Sequence, residues 1–322
     1  MKNVQDIWLA VVNPHAGSGK TISEWGKAEG LLKAKGVAFE CRRTGEGDNA
    51  SMIAYRSAKA GYRKFIAVGG DGTVHDVLSG VMDAIGECPD AVLEDFTLAV
   101  VPIGSGNDWI RGHGIPHDTE SVVGLIVSGS FSTQDVVRVS LLESAEDEGC
   151  MSSTYMINVG GVGLDAMICE RVNRQKAGGA SGKMLYIKSL LYNLFHYSSI
   201  PMRVECDGMK VFEGPCYSIA FGIGKYSGGG MRQTPEAVMD DGLLDFTIIP
   251  SFSIFRIMRE AYKLLNGKIL TIKELIHGKA RTVKVVPLSS DAGLVEVDGE
   301  TLGALPVRLE VLPHQIRVLH GR

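Results

Sequence analysis

The chain has 322 residues, with 33 Lys and Arg against 37 Asp and Glu, a formal charge of −4 that excludes a strongly basic nucleic-acid binder. Apolar residues make up 45 %, enough for a packed core in each of about two domains, which excludes a disordered or fibrous chain. Glycine is the unusual component: its 40 residues are gathered into clusters.

The opening MKNVQDIWLAVVNP carries one early Lys, a short apolar stretch and no small-residue cleavage site, so no secretory leader is expected. Residues 7–14 then read as a strand, 21–36 as a helix, 37–44 as a strand and 48–62 as a helix. A strand over 64–70, a helix over 74–85 and a strand over 96–104 follow. This alternation predicts a parallel sheet flanked by helices, an α/β nucleotide-binding type of domain over residues 1–134.

From about residue 128 the texture changes to short β-rich runs: 135–142, 154–160, 202–208, 210–222, 243–250, 282–288, 295–300 and 307–313. They predict an antiparallel sandwich-like second domain over residues 135–322. Two helical insertions interrupt it, at 182–197 and 253–266. The first sets Met184, Ile187, Leu191, Leu194 and Phe195 on one face, which suits packing against a sheet better than facing lipid. The acidic run Glu143, Glu146, Asp147 and Glu148 reads as a solvated hairpin loop. Against the net acidity, residues 256–284 hold Arg256, Arg259, Lys263, Lys268, Lys273, Lys279, Arg281 and Lys284 with only Glu260 and Glu274. A solvated face explains that run, and so does attraction to an anionic membrane surface. No stretch reaches the roughly 18 apolar residues of a spanning helix, since even residues 243–255 contain Asp245 and Pro250.

The six cysteines (Cys41, Cys88, Cys150, Cys169, Cys206, Cys216) form no CxxC pair and read as reduced, mostly buried thiols of a cytoplasmic protein. His113 and His117 have a metal-like spacing, but Gly114 and Pro116 break the helix a zinc site would need.

Three glycine-bearing turns follow strands in the first domain: NPHAGSGK at 13–20, GGDGTVHDV at 69–77 and GSGND at 104–108. In an open parallel sheet such strand ends share one edge, where ligands bind. Glycine lets backbone N–H groups approach phosphate oxygens, and a helix N-terminus favours an anion. Together they predict a polyphosphate ligand. In the first turn Gly19, Lys20 and Thr21 fit the second half of a P-loop, but Pro14 stands where its first Gly belongs, so that match fails. Residues 161–166, GVGLDA, fit a loose dinucleotide fingerprint among antiparallel-looking strands, where a tight turn before a helix is the better reading. GGDGT is the sharpest signal: N–H groups and a hydroxyl for phosphates, with a carboxylate for a metal ion on them.

With these motifs in order, the sequence resembles the diacylglycerol kinase and sphingosine kinase-like lipid kinases, in particular their soluble bacterial members. The resemblance spans almost the whole chain: the NPxxGxGK-type turn, GGDGTVHDV with Asp76 where the family has Glu, and PIGSGNDWIR with Ser105 where many members have Thr. It continues through GGGMRQTPEAVMDDGLLDF at 228–246 and VEVDGE at 295–300.

The resemblance implies ATP between the domains, with Asn13, Pro14, Gly17, Ser18 and Gly19, and Gly70, Asp71, Gly72, Thr73 and Asp76, around its phosphates, and with Thr44, Ser105 and Asn107 as further contacts. It implies Asp71, Asp108 and Asp135 around a catalytic Mg²⁺, and Asp241 with the carbonyls of Val238 and Leu243 at a second, structural Mg²⁺. Asp298 would be the general base and Glu300 its assistant at nucleotide or metal. By its residues alone, the DG of VEVDGE reads as a hairpin turn. The implied activity is phosphorylation of a lipid hydroxyl, with diacylglycerol the leading acceptor and sphingoid bases or phosphatidylglycerol as others, by a cytoplasmic enzyme that visits the membrane surface. The resemblance is compatible with a homodimer. After 307–313 only HQIRVLHGR remains, so no C-terminal helix is expected to return to the first domain. Two rival readings are an NAD kinase-like soluble-substrate kinase, which shares GGDGT, and a non-catalytic lipid or nucleotide sensor, which would need no base.

Overall fold

The structure is a computed structural model that describes residues 3–45, 47–88, 91–104, 107–144, 149–177, 189, 192–193, 196–290 and 293–321. Most of the predicted helix at 182–197 and most of the acidic run lie outside the described residues; the described Ser189, Tyr192, Asn193 and His196 are helical. The chain forms two compact units, Met1–Asp135 together with His314–Arg322, and Val136–Pro313.

In the first unit β1 (Trp8–Val12), α1 (Thr21–Ala34), β2 (Phe39–Arg43), α2 (Ala50–Lys59), β3 (Lys64–Gly69), α3 (Asp71–Glu87) and β4 (Thr97–Pro102) alternate as the periodicity predicts. α4 (Asp108–Gly112), α5 (Thr119–Ser128) and β5 (Phe131–Gln134) follow. β1, β3 and β4 are apolar along almost their whole length and buried on both faces, as parallel strands between helices must be. Local chemistry sets the helix ends. Asn49 Oδ1 accepts the Met52 N–H to cap α2, Asp118 Oδ1 accepts the Ser121 N–H to cap α5, and Gly129 ends α5 at φ 72°.

The last strand of this sheet comes from the far end of the chain. Ile316–Leu319 lies between β4 and β5, parallel to the first and antiparallel to the second. The sequence assigns this tail to the second domain; Gln315 Nε2 instead ties it to Asp135 at 2.7 Å, and the Ser130 hydroxyl donates to His320 O at 2.7 Å. A run of apolar and basic residues without turn signals gives no hint of which sheet it joins.

Beside the tail, Gln134 Oε1 accepts from Trp109 Nε1 at 3.0 Å and faces His113 Nε2 at 2.6 Å. His113 is 2 % exposed, and burial pushes its imidazole down from 6.5 to about 4. It is a neutral core histidine. An unfolded chain takes up its proton near pH 6.5, whereas the folded one refuses it until about pH 4. Stability on this account is full above pH 6.5 and falls as the pH drops through that window, by about 3 kcal/mol in all. Denaturant midpoints measured between pH 7 and pH 4 should show the fall, and His113→Phe should flatten it.

In the second unit β6 (Val137–Leu142) and β7 (Cys150–Met156) form a hairpin. β8 (Val159–Gly163), α6 (Leu164–Ala177), β9 (Ile200–Cys206), β10 (Met209–Gly222) and β11 (Leu244–Pro250) follow. After α7 (Ile254–Glu260) and α8 (Tyr262–Asn266) come β12 (Ile276–Ala280), β13 (Thr282–Pro287), β14 (Leu294–Val297), β15 (Glu300–Ala304) and β16 (Val307–Val311). Their order is β15-β14-β8-β10-β9-β13-β16-β6-β7, with β11 between β10 and β12, and all described pairings are antiparallel. Strict alternation in β9, whose Ile200, Met202, Val204 and Cys206 are buried, shows how one face feeds a core that includes Val162, Ile219, Phe221, Val285 and Val307.

β8 runs antiparallel to both neighbours, β10 and β14, so GVGLDA does not open a parallel βαβ unit and is not a dinucleotide site. Cys169, Cys206 and Cys216 are buried while Cys41 and Cys150 are exposed; burial pushes the Cys206 and Cys216 thiols up to about 12, which keeps them unreactive.

Candidate active site

In the first unit β1, β3 and β4 are parallel and in register, Val12 beside Val68 and Gly69 beside Pro102, so their C-terminal ends reach one edge together. The turns that leave this edge touch one another. Asn13 Nδ2 donates to Thr73 Oγ1 at 3.4 Å, joining the first turn to the second. Gly17, at φ 58°, lies so close to the third that a Cβ there would stand 2.6 Å from Ile103 Cγ2. Asp71 joins the second to the third: Oδ2 accepts the Asp108 N–H at 2.8 Å and Oδ1 the Trp109 N–H at 3.3 Å. Its carboxylate thereby holds the start of α4, and Gly70 passes so near that a Cβ would meet Asn107 Oδ1 at 3.4 Å.

Around this knot, buried Asn107 donates to Gly104 O at 3.3 Å, and buried Asp108 is paired with Arg111 at 2.9 Å. Gly72 is exposed at the first turn of α3, and Asp76 lies half-buried one turn on. Pro14 and Gly19 belong to the first turn, Gly19 at φ 87°. Thr44 extends the edge beside β1, its N–H donating to Val12 O at 2.9 Å. Asp135 is buried against Gln315, as given above. Ser105 and the side chain of Ser18 lie outside the described residues.

The second unit holds the other candidates. Asp298 and Gly299 form the turn between β14 and β15 with φ of 50° and 91°, the paired positive angles of a tight two-residue hairpin. The turn reading of DG is what the structure shows. The Asp298 carboxylate is clamped by successive amides: Ile157 N–H to Oδ2 at 2.9 Å, Asn158 N–H to Oδ1 at 2.9 Å and Val159 N–H to Oδ1 at 3.2 Å. Glu300 is exposed at the start of β15.

Two carboxyls that the sequence reading passed over lie beside this turn. Glu296 is buried, with Oε2 accepting the Gly299 N–H at 3.1 Å, and Asp165 accepts from Ser218 Oγ at 2.6 Å. Burial pushes both above the usual carboxylate range, Glu296 far above it with the charge of Asp165 adding to the effect. Alternation along β14 was the available signal: Val295 and Val297 are core residues, which leaves Glu296 for the other face of an inner strand.

The GGG of the 228–246 motif, Gly228, Gly229 and Gly230, has φ of 56°, 88° and 114°, a run only glycine adopts without strain. Downstream, Asp241 Oδ1 accepts the Leu243 N–H at 3.1 Å and Oδ2 accepts Lys279 Nζ at 2.7 Å; Lys279 also pairs with the buried Asp245 at 3.3 Å. Val238 is exposed nearby in sequence. These residues do not fit a second metal ion, because the carboxylate already faces a cation of the chain's own. Lys279→Met is expected to destabilise the protein by about 1–3 kcal/mol by stranding two carboxylates. Without nucleotide, a chelator should leave the wild-type Tm unchanged, while millimolar Mg²⁺ should raise the Tm of the variant.

Among the described residues no three His, Cys, Asp or Glu side chains converge as a metal cluster. A Mg²⁺ that rides on substrate phosphates needs only one or two carboxylates, and the carboxylate of Asp71, which faces the Asp108 and Trp109 amides, fits that lesser demand, whereas Asp108 is paired with Arg111 as Asp241 is with Lys279.

Residues 7–139 match the diacylglycerol kinase catalytic domain, and residues 158–320 match the YegS C-terminal NAD kinase beta sandwich-like domain. The "Diacylglycerol kinase" of Mycobacterium tuberculosis is 26 % identical over 314 residues, 97 % of this chain and 94 % of that protein. A Chromohalobacter salexigens protein named "Probable lipid kinase YegS-like" is 29 % identical over 262 residues, 79 % of this chain and 74 % of its own. Among solved structures, a diacylglycerol kinase from Bacillus anthracis superposes with a TM-score of 0.70 at 22 % identity, over 98 % of this chain and 97 % of that one. An NAD kinase from Archaeoglobus fulgidus, solved with ATP, reaches 0.51 at 12 % identity over 98 % and 94 %, a likeness of fold alone. An α/β unit with three joined glycine turns, followed by an antiparallel sandwich with its DGE turn, thus defines an ATP-dependent kinase. The chain belongs to the diacylglycerol kinase and YegS-like lipid kinase family.

Proposed function

We propose that this kinase transfers the γ-phosphoryl group of ATP to the hydroxyl of a membrane lipid, with diacylglycerol as the leading acceptor. The observation that carries the reading is the joining of the three glycine turns at one sheet edge, through Asn13 to Thr73, Gly17 to Ile103 and Asp71 to the Asp108 amide. Such an edge offers backbone N–H groups and helix N-termini to phosphate oxygens.

In the reaction the lipid oxygen bonds to the γ-phosphorus, the bond from that phosphorus to the bridging oxygen of ADP breaks, and the hydroxyl proton passes to Asp298. The amides of Ile157, Asn158 and Val159 fix the position of this carboxylate, so orientation is provided before substrate arrives. Asp71 is the residue that would hold Mg²⁺, whose contribution when bound is to neutralise charge on the phosphates. Glu300, exposed beside Asp298, assists there. The expected setting is the cytoplasmic face of a membrane; among the described residues no helix is long and apolar enough to cross one.

Labelled ATP with mixed micelles of diacylglycerol, sphingoid bases and phosphatidylglycerol should give phosphorylated diacylglycerol. Absence of any phosphorylated lipid would remove the proposal, and label in NAD instead would replace it with the soluble-substrate reading.

A further inference from the structure

Four of the large apolar side chains that the fold leaves exposed lie within a single stretch of helix. Phe255 is 82 % exposed, Met258 48 %, Tyr262 57 % and Leu265 67 %. α7 and α8, which carry them, are joined by Ala261, itself at helical angles (φ −55°, ψ −31°), so the helical sense continues through the junction. At about 100° per residue, the spacing of three, seven and ten residues puts all four within an arc of about 80°.

The opposite side does the packing. Ile257 packs against the sandwich core, and Leu264 against the small cluster of Ile269, Ile272 and Leu275. The helix is therefore anchored by one stripe while a second stripe, of three apolar side chains and a tyrosine, faces outward. Four large exposed apolar side chains on one arc make a contiguous patch, the kind of surface that marks an interaction site.

Basic groups surround it. Arg259 flanks the stripe on the next position of the helix, 70 % exposed and leaning on Glu260. Lys268 and Lys273 are exposed just beyond α8, with Glu274 next to Lys273 already paired to Arg256. An apolar stripe with a cationic rim is complementary to a surface that is apolar within and anionic without.

We infer that the face formed by Phe255, Met258, Tyr262 and Leu265 inserts into the interfacial layer of an anionic bilayer, with Lys268, Lys273 and Arg259 on its headgroups. The inference deepens the lipid-kinase reading by naming the surface through which the enzyme reaches its acceptor, and it rests on that reading only for the need to reach a lipid. The insertion would be shallow and reversible, because α7 and α8 supply a few side chains and no spanning length.

The test is flotation of the full chain with vesicles of phosphatidylcholine alone or mixed with phosphatidylglycerol. The wild type should float with the mixed vesicles and release as salt is raised. Phe255→Ser with Leu265→Ser, and separately Lys268→Glu with Lys273→Glu, should each weaken partition by about tenfold or more, with circular dichroism and Tm unchanged. Turnover on a short-chain acceptor dispersed in water should stay at the wild-type level in both. Equal flotation of wild type and both variants overturns the inference. So does a wild-type dimer that the apolar variant converts to monomer, since the stripe would then pair two copies. Vesicle binding that depends on these residues, in a protein that phosphorylates no lipid, supports the surface and removes the kinase reading. Lipid phosphorylation with no dependence on them does the reverse.

Discussion

Asp298→Asn is expected to lower turnover by about 10²- to 10⁴-fold, the range over which a positioned general base accelerates proton transfer. The variant keeps one carbonyl oxygen for the Asn158 and Val159 amides but turns an NH₂ group toward the Ile157 N–H, where Asp298 offers Oδ2. A modest loss of stability, about 1–2 kcal/mol, should accompany the loss of activity. The two effects separate by measurement. Nucleotide affinity by calorimetry and the Tm with and without ATP report whether the protein is folded and loaded, and turnover under conditions where it is both reports the base. Folded, nucleotide-bound Asp298→Asn with wild-type turnover would take this residue out of the mechanism and leave it as a turn former.

The second large effect is on stability. α2 and α3 cross at Gly80, where an added Cβ would stand 2.0 Å from the Ser51 carbonyl oxygen and 2.9 Å from the Tyr55 nitrogen. Those are backbone atoms of a packed helix and cannot swing aside. Gly80→Ala should cost about 3 kcal/mol or more, despite the better helix propensity of alanine, because the pair of helices must separate or shift. Gly86 lies on the same helix with nothing within 4 Å of its missing Cβ, so Gly86→Ala should be neutral or stabilising by up to about 1 kcal/mol. Denaturant midpoints of the two variants check the contrast, and equal midpoints would refute the close approach. Because α3 begins at the GGDGT turn, loosening at Gly80 should also weaken nucleotide binding.

Much of the fold was legible because its signals are local. The apolar runs of β1, β3 and β4 and the glycines that end them identify a parallel sheet with turns on one edge, and these turns meet in the structure. The DG turn was legible as a hairpin. What escaped depends on partners far away in sequence. Lys279 reads as one basic residue among many, and only the pairing of β11 with β12 brings it to Asp241 and Asp245. Glu296 reads only as part of the VEVDGE run, and it is the fold that brings Asp165 of α6 and Gly161 of β8 against it. The exposed stripe on α7 and α8 has the same composition as a buried one, so its outward direction is a property of packing at Ile257 and Leu264. The tail strand escaped for the most basic reason: nothing in IRVL says that it will pair with a strand over two hundred residues earlier.

That tail has a consequence for how the protein is made. On the ribosome, residues 1–135 emerge first and hold every element of the nucleotide-binding unit except the strand that belongs between β4 and β5. Until Ile316–Leu319 is synthesised, two strand edges stay unpaired inside the nascent sheet, open to the wrong neighbour. The second unit must therefore be complete, or nearly so, before the first can finish. An interrupted translation product would carry an open sheet in place of a kinase domain, and supplying residues 314–322 as a separate peptide would be the way to close it.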